Sequence, residues 1–106
     1  MTLLLDECIP QKLRDSFPSH DCRCVTEQGW AGKKNGELLS LAENSGFRVF
    51  ITLDRGLEYQ QNLESRAIAV VLIQTKSNRL ADLLRHIPEI LKVLPTIQPG
   101  QLAKVG

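Results

Sequence analysis

A chain of 106 residues is long enough for one domain with its own core and too short for two. Thirteen basic and twelve acidic side chains leave a formal charge of +1, so bulk charge favours neither a nucleic acid nor a membrane partner. The first residues turn acidic after three leucines with no basic region ahead of them, which fits no signal peptide, and no apolar run reaches membrane-span length.

Leu3-Leu4-Leu5 is a short continuous apolar run, as expected of a strand buried on both faces. Ile9, Leu13 and Phe17 follow at helical spacing, with Pro10 suited to the first turn of that helix. Cys22 to Thr26 reads as a second strand, and Gly29 to Lys34 as a loop. Asn35 is a good N-cap for a helix carrying Leu38, Leu41, Ala42 and Ser45 on one face and stopping at Gly46. Arg48 to Thr52 reads as a third strand and Leu57 to Glu64 as a short helix. "AIAVVLI", Ala67 to Ile73, is the most apolar run and the best central strand. Leu80, Leu83, Leu84, Ile87 and Leu91 form a helical stripe that serves as core or as a dimer face, with a kink or restart at Pro88. The tail 95–106 has no helical pattern and suits a short edge strand.

Strands alternating with helices, and continuous rather than alternating apolar strands, predict an α/β domain: a mainly parallel sheet of four or five strands covered on both faces. In such a sheet ligands bind beyond the C-terminal ends of the strands. Asp6 and Glu7 follow the first strand, Asp54 follows the third, and Glu37 stands in the first turn of the helix after the second. Any one of these acids is explained as a cap or as a partner of a helix dipole. Asp6 and Asp54 together, ending two apolar strands at one edge, are explained better by a hard divalent cation, Mg²⁺ or Mn²⁺, that offsets their mutual repulsion. Lys33, Lys34, Arg55, Lys76 and Arg79 are expected around that centre, as befits a polyanion. Trp30 is placed either to stack on an unpaired base or to pack over the sheet edge.

"LLLDECIP" before a helix, then "GWAGKKNGELLSLAE", then "VFITLDRGLEYQQNL", resembles the small prokaryotic PIN-like domains related to VapC-type toxins, over about Leu3 to Leu91. The resemblance implies a three-layer α/β/α fold and an acidic Mg²⁺ or Mn²⁺ site that cleaves RNA. It also implies a cytoplasmic toxin neutralised by an antitoxin protein, with a homodimer as the expected assembly. By position, the catalytic and metal-binding acids are Asp6, Glu37 and Asp54, with Glu7 as a further ligand. From their places around the acids, Lys33, Lys34, Arg55, Trp30 and Lys76 are the expected substrate contacts. The chain departs from the pattern at Gly56, where relatives often carry Asp or Asn, and at Asn35, where many carry an acid.

His20, Cys22 and Cys24 alternate on the second strand, yet no fourth ligand other than distant Cys8 suggests itself, so they read as core. An odd count of three cysteines reads as reduced thiols in a cytosol. Two other functions compete. One is a PIN-like module that binds RNA or protein without catalysis. The other is a phospho-receiver domain, which Asp6, Glu7, Asp54 and Lys76 imitate, although Thr75 and Lys76 are adjacent where a receiver separates them and a receiver needs a further strand and helix.

Overall fold

The structure, a computed structural model, describes residues 1–60 and 62–106. Five strands form one sheet: β1 (Thr2–Leu5), β2 (Asp21–Cys24), β3 (Val49–Thr52), β4 (Ala69–Ile73) and β5 (Leu102–Val105). Their order is β2-β1-β3-β4-β5, and every pairing is parallel. The tail strand is therefore a full member of the sheet. Its residues Leu102 to Val105 pair with Val70 to Ile73.

Continuous apolar strands are the sequence's answer to burial on both faces. Leu3, Leu5, Val49, Ile51, Val71 and Ile73 point to one side and pack with Leu13, Phe17, Leu83, Ile87, Ile90 and Leu94. Leu4, Phe50 and Val70 point to the other and meet Leu38, Leu39, Ala42, Leu57 and Leu63. A 3-10 turn of helix (Gln11–Ser16), α3 (Leu80–Leu84) and α4 (Ile87–Val93) thus cover the first face, and α1 (Asn35–Asn44) and α2 (Leu57–Gln60) the second.

Several elements differ from expectation in their details. The segment after Pro10 winds as a 3-10 helix, with Leu13 as its buried anchor. In α1 the cap is Lys34, whose side chain caps nothing. Asn35 is the first helical residue, and its amide is directed elsewhere. The buried face of α1 runs through Leu38, Leu39 and Ala42, with Leu41 at its margin. Its end is a Schellman turn: Gly46 takes φ +88°, its N–H donates to Glu43 O at 3.2 Å, and Phe47 N–H donates to Ala42 O at 3.0 Å. Only Leu57–Gln60 of the expected helix to Glu64 is helical; residue 61 lies outside the described residues, and 62–64 are not helix. The leucine stripe is two helices, with Pro88 in the first turn of the second, where no N–H is needed. Only part of that stripe is core: Leu83 and Ile87 are buried and Leu80 is partly so, while Leu84 and Leu91 are exposed, and the buried face of the second helix runs through Ile90 instead of Leu91.

Cys24 is buried and Cys8 and Cys22 pack against the same core, with all three thiols free. Burial is the main cause of their weak acidity: Cys22 is pushed up to about 12 and Cys24 to about 11. No helix among the described residues is long and apolar enough to cross a membrane.

Candidate functional site at the β1–β3 edge

The strand order reverses direction between β1 and β3, so the crossover connections leave a crevice between the C-terminal ends of those two strands. Asp6 directly follows β1, and Asp54 stands two residues beyond the end of β3. They share a cavity of about 550 Å³ lined also by Glu7, Cys8, Lys33, Lys34, Asn35 and Gly36.

Asp6 is held there by the backbone of both strands. Its N–H donates to Ile51 O on β3 at 3.0 Å, continuing the sheet ladder by one residue. Its carboxylate, in a residue only 9% exposed, accepts the Glu7 N–H on Oδ1 at 2.8 Å and the Thr52 hydroxyl on Oδ2 at 2.6 Å. With Asp6 ionised, Thr52 is the donor of this second bond. Its Oγ1 also accepts the Asp54 backbone N–H at 3.1 Å, so its single proton is left for Asp6. Thr52, fully buried at the end of β3, therefore ties the two acids together.

Asp54 is more exposed. Its Oδ1 accepts the Gly56 N–H at 2.9 Å, an Asx turn, and its Oδ2 accepts the Asn35 side-chain amide at 2.8 Å. Gly56 thus contributes a backbone donor in place of a side-chain oxygen. Asn35, at the start of α1, fixes the carboxylate across the crevice.

The electrostatics oppose each other. Burial raises the Asp6 carboxyl above its ordinary value, and the Glu7 and Asp54 charges add to this, while the bonds from Thr52 and the Glu7 N–H pull it down. Both Asp6 oxygens accept hydrogen bonds, an arrangement suited to the ionised form. The net effect is a carboxyl raised by its burial and only partly held down by its hydrogen bonds, a conflict that a bound cation would relieve.

The chemistry of the donor set fits a hard divalent cation. Each of the four Asp6 and Asp54 oxygens uses one acceptor position on a protein donor and keeps a second for a metal or its waters. Glu7 stands on the same wall, with Oε1 accepting the Gly32 N–H at 3.2 Å. Glu37 does not line the cavity. Its Oε1 is paired with Lys33 Nζ at 3.0 Å, one helical turn back, and the side chain is 59% exposed. Among the described residues no group of three acids, histidines or cysteines stands within reach of a single ion, so a cation here would depend on Asp6 and Asp54 with water completing its shell.

The basic residues divide between two places. Lys33 and Lys34 rim the acid cavity, whereas Arg55 and Lys76 line a neighbouring one. Trp30 packs edge-to-face on Phe47, with ring centroids 6.0 Å apart, over the end of the second core cluster. Thr52 escapes sequence reasoning because a β-branched residue ending a strand needs no other explanation; its one signal is a hydroxyl in an otherwise apolar run. Asn35 has the sequence context of a cap and is a partner of Asp54 instead.

No family model matches the chain. Neither a curated protein nor a solved structure matches it significantly.

Proposed function

We propose that the chain is a metal-dependent phosphodiesterase acting on RNA, a PIN-like ribonuclease, with Asp6 and Asp54 as the carboxylates that hold Mg²⁺ or Mn²⁺. The observation that carries this reading is the Asp6–Thr52–Asp54 arrangement: two carboxylates just beyond the ends of adjacent strands at the switch point, linked by one buried hydroxyl. A divalent cation bound there supplies Lewis acidity toward a phosphate oxygen and lowers the pKa of a coordinated water. The chain's own residues do the rest. Thr52 and the Glu7 N–H aim Asp6 and oppose the rise in its pKa, Asn35 and the Gly56 N–H orient Asp54, and Lys33 and Lys34 at the rim attract the phosphate backbone.

The extension of this reading to a cytoplasmic toxin paired with an antitoxin, working as a homodimer, rests on the resemblance of the three motifs alone. Glu37 enters the ligand set only after leaving Lys33, so its part is smaller than that of Asp54. The test is cleavage of single-stranded RNA with Mn²⁺ by the wild type and by Asp54→Ala. Loss of cleavage in the variant is expected; equal rates from both overturn the proposal.

A second reading has one observation in its favour. The order β2-β1-β3-β4-β5, with acids after β1 and an aspartate after β3, is also that of phospho-receiver domains, and β5 supplies the further strand that the sequence alone left missing from that comparison. Lys76, however, lines the cavity next to the acids and not the acid cavity itself. Incubation with acetyl phosphate and Mg²⁺ distinguishes the two: we expect no phosphoryl group on Asp54, and its appearance there would favour the receiver.

A further inference from the structure

Beside the acid cavity, over the C-terminal end of β4, lies a second cavity of about 380 Å³ with a different character. Arg55, Lys76, Arg85 and His86 line it together with Thr75 and a single acid, Asp82. That acid is already engaged: Ser77 Oγ donates to its Oδ2 at 2.5 Å. Its carboxyl is held below the ordinary value by this hydroxyl first, then by the charges of Arg85, Arg79 and Lys76. Among the described residues, no ion pair within 4.0 Å involves Arg55, Lys76 or Arg85. Three guanidinium and ammonium groups therefore line one concavity without a close ion pair, with Asp82 as the one acid there for Arg85 and Lys76 to act on.

Two features join this cavity to the acids. Arg55 directly follows Asp54, and β3 and β4 are neighbours in the sheet, so their ends lie about 5 Å apart. The β4–α3 loop is also tied to the β1 side, since Asn78 Nδ2 donates at 3.1 Å to the carbonyl of Cys8, a residue of the acid cavity's wall.

We propose that this cavity is a phosphate-binding site. It takes a phosphate of the same RNA strand whose scissile bond lies at Asp6 and Asp54, with Arg55, Lys76 and Arg85 as its donors. The proposal rests on the ribonuclease reading for the identity of the strand. Its chemistry is that of a fork of guanidinium N–H groups and a lysine ammonium on phosphate oxygens. The volume is in the range that holds a nucleotide-sized group.

The test is binding of a short single-stranded RNA, in a 5′-phosphate and a 5′-hydroxyl form, measured by fluorescence anisotropy without divalent metal across several salt concentrations. The full chain is compared with Lys76→Ala/Arg85→Ala, whose unchanged circular dichroism and melting verify folding. A weakening of at least about tenfold is expected in the double variant. The slope of log affinity against log salt should fall by about 1.4, from about 0.7 per cation on a single strand. Tighter binding of the 5′-phosphate form, lost in the variant, assigns the cavity to a terminal phosphate; equal binding of the two forms assigns it to an internal one. Unchanged affinity and slope in the folded variant overturn the proposal, as does a wild type that binds neither RNA. Since the assay involves no metal and no cleavage, its failure is distinct from a failure of the acids, which the cleavage rates of wild type and Asp54→Ala decide separately.

Discussion

Two cavities stand side by side on one sheet edge and are built on opposite plans. Over β1 and β3, carboxylates are gathered, and each oxygen of Asp6 and Asp54 is held by a protein donor. Over β4, cations are gathered and the protein gives them one acid, already bound to Ser77. The first arrangement invests in orientation and the second in net charge. Oriented carboxylates with spare lone pairs suit a cation of defined geometry, whereas loosely held guanidinium and ammonium groups suit a diffuse polyanion. On the proposed reading, the first cavity does the chemistry and the second holds the strand.

The largest effect is expected where orientation and charge are both lost. Asp54→Ala should lower Mn²⁺-dependent RNA cleavage by more than about 100-fold, since even the partners of a ligand are worth about 10–100-fold. Thr52→Val isolates orientation. It keeps the shape of the strand end, removes the 2.6 Å donor to Asp6 and leaves the Asp54 N–H unpaired. We expect a drop of about 10–100-fold in apparent Mn²⁺ affinity from titrated cleavage rates. Glu37→Gln should change the same rates by less than about threefold, because Glu37 faces Lys33 and not the cavity. A loss as large as that of Asp54→Ala would place Glu37 among the direct ligands.

The charge conflict at Asp6 gives a smaller effect of opposite sign. Its carboxyl is raised on folding, chiefly by burial, so its favourable contribution to stability is present below the ordinary carboxylate pKa of 3.8 and is lost as pH rises through the raised value. In metal-free protein Asp6→Asn should therefore raise the melting temperature by a few degrees at neutral pH, and the gain should vanish in acid. Destabilisation at neutral pH would show that the bonds to Thr52 and Glu7 outweigh burial.

How much of this is legible in the sequence depends on the scale of the interaction. Leu3 to Leu5 and Ala67 to Ile73 announce strands because a strand buried on both faces needs no polar alternation, and with them comes the sheet edge where Asp6 and Asp54 meet. Helix ends are less legible, since Pro88 allows either a kink or a restart and tertiary packing chooses the restart. Side-chain partners are least legible. The position of Glu37 in α1 places it at the right edge, but its pairing with Lys33 is a local i,i+4 choice that competes with the crevice. The role of Asn35 depends on a carboxylate 19 residues away, and that of Thr52 on one 46 residues away, which no local pattern encodes.

Everything proposed for the acid cavity turns on Asp6 and Asp54 binding a divalent cation together. Melting temperature as a function of Mn²⁺ concentration, for wild type and Asp54→Asn at neutral pH, measures this without any substrate. The wild type should gain stability with the logarithm of Mn²⁺ concentration, reaching about 2.7 kcal/mol at a hundredfold excess over Kd, and Asp54→Asn should gain almost none. Identical curves for the two proteins, or no stabilisation of either, would contradict it.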